Sequence, residues 1–449
     1  MFFLRPDVEL RPGETGPELT RHGSGVSHAL SVEEALALTL LGHYGDVDVA
    51  TRYLNACFEN RDGASLIDFI KARWSTYLGE GTARPLDLAW LDTSKKSESR
   101  HSGPRSREAA PESISWLVTL TCNRRCPYCY YKVLPWNGDT ASNPADASFP
   151  IRDVLRVVEE MASVGTANLY LTGGEPLLRP DLLQIAAHAV SLGIKVHINT
   201  RFAIDRALAH AISQAGVKDI TFSLDSGDAV EANALSGHPG FFSEALSAIR
   251  ALLSAHIDVR VNAVITSVNV QHISRLLDLC VTLGVRRVTL SPYVEPVMTR
   301  RAPAALVRTG PALGEIVADL KSHYGSHLNV AVGSAEAFQS SARVDCADRL
   351  LCEVGIRSLD ILPDGRVTRC RYAPGDEDLI VGDLKKETLM QIWTGNALDR
   401  LTFPKRSAFG ATACSTCSAH ERCNTRGRCV LGARLNYGQL LAPDAGCTR

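Results

Sequence analysis

Cys122, Cys126 and Cys129 stand at CxxxCxxC spacing, and eight of the other cysteines crowd the C-terminal part of the chain: Cys346, Cys352, Cys370, Cys414, Cys417, Cys423, Cys429 and Cys447. Thiolates are ligands for zinc and for iron–sulfur clusters. Three of them hold three irons of a [4Fe–4S] cluster and leave the fourth iron open, so a chelating molecule can bind there and react. The C-terminal cysteines allow two readings. Eight thiolates complete two further clusters, whereas Cys414, Cys417, Cys423 and Cys429 alone would close a tetrahedral zinc site. Cys57 and Cys280 lie within helical patterns and read as small buried apolar residues.

The elements that position the triplet begin near residue 115, where short β-rich runs alternate with amphipathic helices, the pattern of βα units on a parallel sheet. Strands are expected over 115–120, 168–172, 194–199, 219–224, 258–266 and 287–291, with helices over 151–164, 181–192, 205–215, 242–255 and 271–283. The fold class is therefore α/β, with a partial (β/α)6 barrel over 114–310. The triplet follows the first strand, Gly173-Gly174-Glu175-Pro176 ends the second, and Ser223-Leu224-Asp225 ends the fourth. In β/α folds the C-terminal ends of strands build the active site.

Residues 1–91 read as a separate winged-helix-like α+β domain. Extended runs over 2–11 and 19–30 precede three helices, the first opened by the capping box Ser31-x-x-Glu34. A polar, aperiodic linker covers 92–113, a bridging region with a helical stretch covers 311–345, and the Cys-rich domain covers 346–449. A chain of 449 residues suits such a division. Its formal net charge of -1 gives no basic excess for nucleic acid or anionic lipid. With no signal-peptide pattern and no membrane-length apolar run, a cytoplasmic protein is expected, and in a reducing compartment thirteen cysteines point to metal rather than disulfides.

The CxxxCxxC loop with Tyr128 ahead of its last cysteine, followed by the GGEP and SxD sequences, resembles the radical S-adenosylmethionine superfamily. The resemblance implies that Cys122, Cys126 and Cys129 bind the cluster that cleaves S-adenosylmethionine. Gly173, Gly174, Glu175 and Pro176 would then meet the methionine amino group, Ser223 and Asp225 the ribose and methionine moieties, and Asn262, Thr266 and the 290–292 strand end the adenine side. Many relatives carry an Arg-Gly pair after the fourth strand. Here Ser236-Gly237 stands in that place, so a different group must grip the cofactor carboxylate if that arginine does so elsewhere.

The C-terminal cysteines resemble the SPASM extension, the auxiliary-cluster domain of radical enzymes that modify peptides, except that Cys423-x5-Cys429 is longer than the usual CxxxC. The family's pairing implies one cluster on Cys346, Cys352, Cys370 and Cys429 and another on Cys414, Cys417, Cys423 and Cys447, giving three [4Fe–4S] clusters in all. The N-terminal domain is similar in pattern to the peptide-recognition element of ribosomal-peptide maturases. The implied enzyme takes a precursor peptide by its leader and draws electrons from a flavodoxin- or ferredoxin-type donor. It oxidatively installs a thioether or carbon–carbon cross-link. The alternatives are formylglycine formation of the anaerobic sulfatase-maturating type, whose members carry Asp where Arg371 follows Cys370, and a zinc-stabilised regulatory or peptide-binding module without catalysis.

Overall fold

The computed structural model describes residues 3–5, 8–12, 17–21, 27–44, 46–57, 63–75, 77–79, 107–129, 149–293, 320, 323–325, 327–332, 352–424, 427–443 and 447. Two compact units result, Met1–Ala109 and Ala110–Arg449. Most of the expected linker, most of the 311–345 bridge and Cys346 lie outside the described residues, as does the side chain of Cys57.

In the N-terminal unit, β1 (Phe3–Leu4) pairs antiparallel with β5 (Leu78–Gly79), while β2 (Val8–Pro12), β3 (Pro17–Arg21) and β4 (Ser27–Ala29) form an antiparallel sheet in that order. Three helices follow β4: α1 (Val32–Tyr44), α2 (Val47–Cys57) and α3 (Gly63–Arg73). The capping box forms as its sequence requires: Ser31 N–H donates to the Glu34 carboxylate at 2.8 Å and Glu34 N–H donates to the Ser31 hydroxyl at 3.1 Å. Leu19 from the sheet packs with Leu38, Leu41, Leu54, Ile67, Ile70 and Trp74 from the helices, so one apolar core joins both layers.

The second unit is built on a ten-stranded sheet ordered β12-β11-β10-β9-β8-β7-β6-β13-β14-β15. The six expected strands are present as β6 (Ser113–Thr119), β7 (Asn168–Gly173), β8 (Lys195–Thr200), β9 (Asp219–Ser223), β10 (Asp258–Ile265) and β11 (Arg287–Pro292). All five contacts between neighbours are parallel. Two additions enlarge the expected half-barrel. The strand β12 (Asn329–Val332) extends the sheet beyond β11, and β13 (Ser358–Ile361), from the Cys-rich region, pairs in parallel with β6. From there β14 (Arg366–Thr368) and β15 (Ile380–Asp383) continue antiparallel. Barrel and Cys-rich region thus share one sheet.

Side-chain alternation sorts this sheet into two faces. Leu169, Leu171, Val196, Ile198, Ile220, Phe222, Val259 and Val261 are buried with the helices that cover the outside, among them Ile151–Ser163 and Phe241–Ser254. The opposite, inward residues are polar: Tyr170, His197 and Asp219 are direct neighbours across β7, β8 and β9, and Asn199, Thr221 and Arg260 form the next row. A closed eight-stranded barrel fills its interior with bulky branched side chains. This open sheet instead lines its concave face with groups that hydrogen-bond.

Candidate active site

The cysteine loop leaves β6 at Thr119 and is fixed from both sides. Gly174 N–H donates to Thr119 O at 2.8 Å and Glu175 N–H to Thr121 O at 2.7 Å. A Cβ on Gly173, whose φ is +136°, would lie 2.2 Å from Thr119 O, and one on Gly174 would lie 2.2 Å from Thr121 O. The two glycines are therefore required by the approach of the GGEP segment to the backbone that carries the triplet. On the other side Arg125 N–H donates to Ser236 O at 3.1 Å, the Cys126 thiol points at the same carbonyl at 3.7 Å, and Gly237, at φ +64°, leaves no room for a side chain beside Arg125 O. Ser236-Gly237 is a docking point for the loop.

Burial pushes the Cys122 thiol up to about 12, and burial also raises Cys126, with the Arg201 guanidinium opposing it. Thiols so placed are protonated at neutral pH and become ligands only by losing the proton to a metal. Loading of this loop must therefore release protons.

Arg201, which sequence reading did not single out, is the hub of the site. It follows β8 directly, and its guanidinium donates to Asp225 Oδ2 at 3.0 Å, to Tyr128 Oη at 2.6 Å and to Cys126 Sγ at 3.4 Å. Asp225 is buried, accepts from Val264 N–H at 2.9 Å through its other oxygen, and also accepts a hydrogen bond from the Tyr128 hydroxyl. Tyr128 and Asp225 thereby aim a cation at the triplet. The only signal in the sequence is positional: a charged residue at the C-terminal end of a β/α strand. Glu175 is equally buried and accepts from Thr200 Oγ1 at 2.7 Å, Arg201 N–H at 2.9 Å and Leu177 N–H at 3.1 Å. Burial raises its pKa while these donors pull the other way. Its carboxylate ties the end of β7 to the end of β8, and Pro176 opens the buried turn that follows.

The remaining expected residues divide. Ser223 and Asn262 face each other across β9 and β10, with Asn262 accepting from the Ser291 hydroxyl at 2.8 Å. They lie on the inward face beside the hub. Thr266 is fully buried, with N–H and hydroxyl bonded to Asn269 Oδ1 at 2.8 and 3.2 Å, and Asn269 in turn donates to Asp225 O at 2.7 Å. The Thr266 hydroxyl closes a turn behind Asp225 rather than lining the cleft.

The C-terminal cysteines gather around two buried arginines. Arg369 is 0% exposed, donates to Cys352 Sγ at 3.0 Å, and lies in the electrostatic field of Cys370 and Cys429. Arg428 donates to Cys423 Sγ at 3.5 Å and Cys414 Sγ at 3.4 Å, and Cys423 packs with Cys417 and Cys447. Gly427, at φ +77°, passes so close that a Cβ there would sit 1.9 Å from Cys352 O. A buried guanidinium is costly without anionic partners. Among the described residues Arg369 has no carboxylate partner, and thiolates of Cys352, Cys370 and Cys429 would supply the missing charge if a metal centre held them deprotonated. The donor set fits iron–sulfur clusters. Cys280 is buried in the helix Ile273–Leu283 as an apolar residue.

Residues 116–280 match the Radical SAM superfamily, and residues 352–424 match SPASM, an iron–sulfur cluster-binding domain. The chain is a radical SAM/SPASM enzyme. It uses S-adenosylmethionine and iron–sulfur clusters. This radical SAM/SPASM enzyme is 26% identical over 347 residues to a PqqA peptide cyclase from Streptomyces rochei, covering 75% of its own chain and 89% of that one. It is 30% identical over 176 residues to an AdoMet-dependent heme synthase from Methanosarcina barkeri, covering 39% and 48% of the two chains. In fold it resembles Streptococcus suis SuiB, crystallised with its precursor peptide SuiA, at a TM-score of 0.62, 16% identity and 100% coverage of both chains. The AdoMet-bound anSMEcpe structure matches at a TM-score of 0.54 and 14% identity, over 75% of this enzyme and 93% of that chain. Among the described residues of the enzyme, no helix is long and apolar enough to cross a membrane.

Proposed function

We propose that this enzyme is a ribosomal-peptide maturase that holds a precursor peptide by its leader and oxidatively cross-links a core residue, by a thioether or carbon–carbon bond. The observation that carries the reading is the pair of arginine-bearing cysteine sets downstream of the triplet, because a cross-linking oxidation needs an outlet for electrons beyond the radical-generating centre. The relatives named PqqA peptide cyclase and the SuiB structure with its precursor peptide support a peptide substrate. When bound, S-adenosylmethionine and the triplet's cluster supply a 5′-deoxyadenosyl radical that takes a substrate hydrogen atom.

The chain's own residues divide the remaining tasks. The triplet binds the first cluster. The sets Cys346, Cys352, Cys370, Cys429 and Cys414, Cys417, Cys423, Cys447 bind two auxiliary clusters, each with four thiolates and no iron left open. The polar concave face gives a peptide backbone hydrogen-bonding partners. In the N-terminal unit β2 and β4 are the edges of the three-stranded sheet, and a leader adds there as a further strand. A flavodoxin- or ferredoxin-type protein supplies the reducing electron. Formylglycine formation is disfavoured at Arg371, which occupies the place of that branch's Asp and is fixed by Asp360 at 3.1 Å and Ser115 at 2.8 Å.

Arg201 takes the role of the arginine that relatives carry after the fourth strand, binding the cofactor carboxylate. Arg201→Ala should weaken S-adenosylmethionine binding to the reconstituted enzyme by the worth of a charged hydrogen bond, about 1.5–3 kcal/mol. That is roughly ten- to a hundred-fold in Kd, measurable by calorimetry, with Arg201→Lys retaining part of it. An unchanged Kd at full iron content removes Arg201 from this role. The function itself is tested by co-expressing the enzyme with a short peptide encoded beside it and weighing the product. Loss of the mass of two hydrogen atoms is expected, in a product whose fragmentation shows two joined side chains and which does not react with a hydrazine; unmodified peptide from iron-loaded enzyme, or a hydrazine-reactive formylglycine aldehyde, would refute the cross-linking assignment.

A further inference from the structure

Arg369 and Arg428 are joined to each other as well as to thiols. The Arg369 guanidinium, touching Cys352 Sγ at 3.0 Å, donates from its second nitrogen to the backbone carbonyl of Arg428 at 3.2 Å. Arg428 then presents its own guanidinium to Cys423 and Cys414, with one nitrogen also held by Ala442 O at 2.7 Å and the plane over the Phe409 ring at 4.5 Å. The residue after Arg428 is Cys429, which belongs to the Arg369 set. Both arginines are almost wholly enclosed, at 0% and 3% exposure, so water does little to screen them.

We infer that Arg369 and Arg428 are redox-positioning residues, each raising the reduction potential of the auxiliary centre whose thiolates it touches, and together linking the two centres. The inference rests on the proposed auxiliary clusters. Reduction adds one negative charge to a centre, and a fixed guanidinium at a ligand sulfur stabilises the reduced state more than the oxidised one. Net charge and hydrogen bonds to the sulfurs set iron–sulfur potentials. Here both effects have the same sign. Among the described residues the contacts are asymmetric, with Arg369 donating to Cys352 and Arg428 to Cys423 and Cys414. Each arginine therefore governs its own centre first and the neighbouring centre more weakly.

The test is a redox titration followed by electron paramagnetic resonance, on the full chain with Cys122, Cys126 and Cys129 all replaced by alanine, so that only auxiliary centres report. Arg369→Met should lower one potential and Arg428→Gln the other. Each drop should be at least about tenfold in the reduction equilibrium, about 59 mV for a one-electron couple, while the second signal moves less. Arg369→Lys, which keeps the charge, should stay within a factor of about three of the starting protein. Unchanged potentials in iron-replete Met and Gln variants overturn the inference. So does an iron-replete lysine variant shifted tenfold, which decides the matter should the methionine variant lose its iron. Absence of iron from the triple-alanine protein before any arginine is changed would instead sink the auxiliary-cluster reading itself.

Discussion

Cys126→Ala will stop 5′-deoxyadenosine formation while leaving capture of a leader peptide unchanged. Cys126 is the thiol that receives the Arg201 guanidinium at 3.4 Å and sits against Ser236 O. Its removal deletes a cluster ligand and strands a cation that Asp225 and Tyr128 continue to aim at the vacancy. Loss of a partner outside the ligand shell costs roughly 10–100-fold. Loss of a ligand should exceed that, so deoxyadenosine measured by chromatography should fall below detection. Leader binding, which we propose for the compact unit Met1–Ala109, should be untouched in a fluorescence binding assay. Undiminished cofactor cleavage would refute the triplet's role.

Cys417→Ala will separate cleavage from product. Cys417 packs with Cys423 and Cys447 in the set that Arg428 serves, well along the chain from the triplet. The variant should still form deoxyadenosine, because Cys122, Cys126 and Cys129 are unchanged. It should yield almost no cross-linked peptide, because the electron released on closing the bond has lost its outlet. Metal binding and folding are coupled in small metal-bearing regions, so iron analysis and circular dichroism must accompany the assay. A normal yield of cross-linked peptide would remove this set from the mechanism.

The parts of this site that could be read from the sequence are those carried by local spacing. The triplet, the GGEP segment, the Ser31–Glu34 capping box and the alternation that marks β7 to β10 all depend on residues near one another in the chain. What escaped depends on partners far apart. Arg201 has no motif of its own and acquires meaning from Asp225 and Tyr128 on other strands. Arg369 and Arg428 carry no motif of their own and are buried where Cys352, Cys414 and Cys423 meet them. The strand β12 spans only Asn329–Val332, too short for a period to show, and its place is fixed by pairing with β11. Thr266, expected on the fifth strand and on the adenine side, instead bonds Asn269, three residues on, which holds its buried hydroxyl behind Asp225. Gly173 and Gly174 are legible through the GGEP segment, although what their backbone approaches closely is that of Thr119 and Thr121.

The most direct measurement is the electron paramagnetic resonance spectrum of anaerobically reconstituted, reduced full-length enzyme, with metal analysis of the same sample, before and after adding S-adenosylmethionine. A brown, iron-bearing protein is expected, with one component of its spectrum shifting on addition of the cofactor and that component missing from Cys126→Ala. Colourless protein with stoichiometric zinc, or an iron signal indifferent to S-adenosylmethionine, would contradict an open iron at Cys122, Cys126 and Cys129.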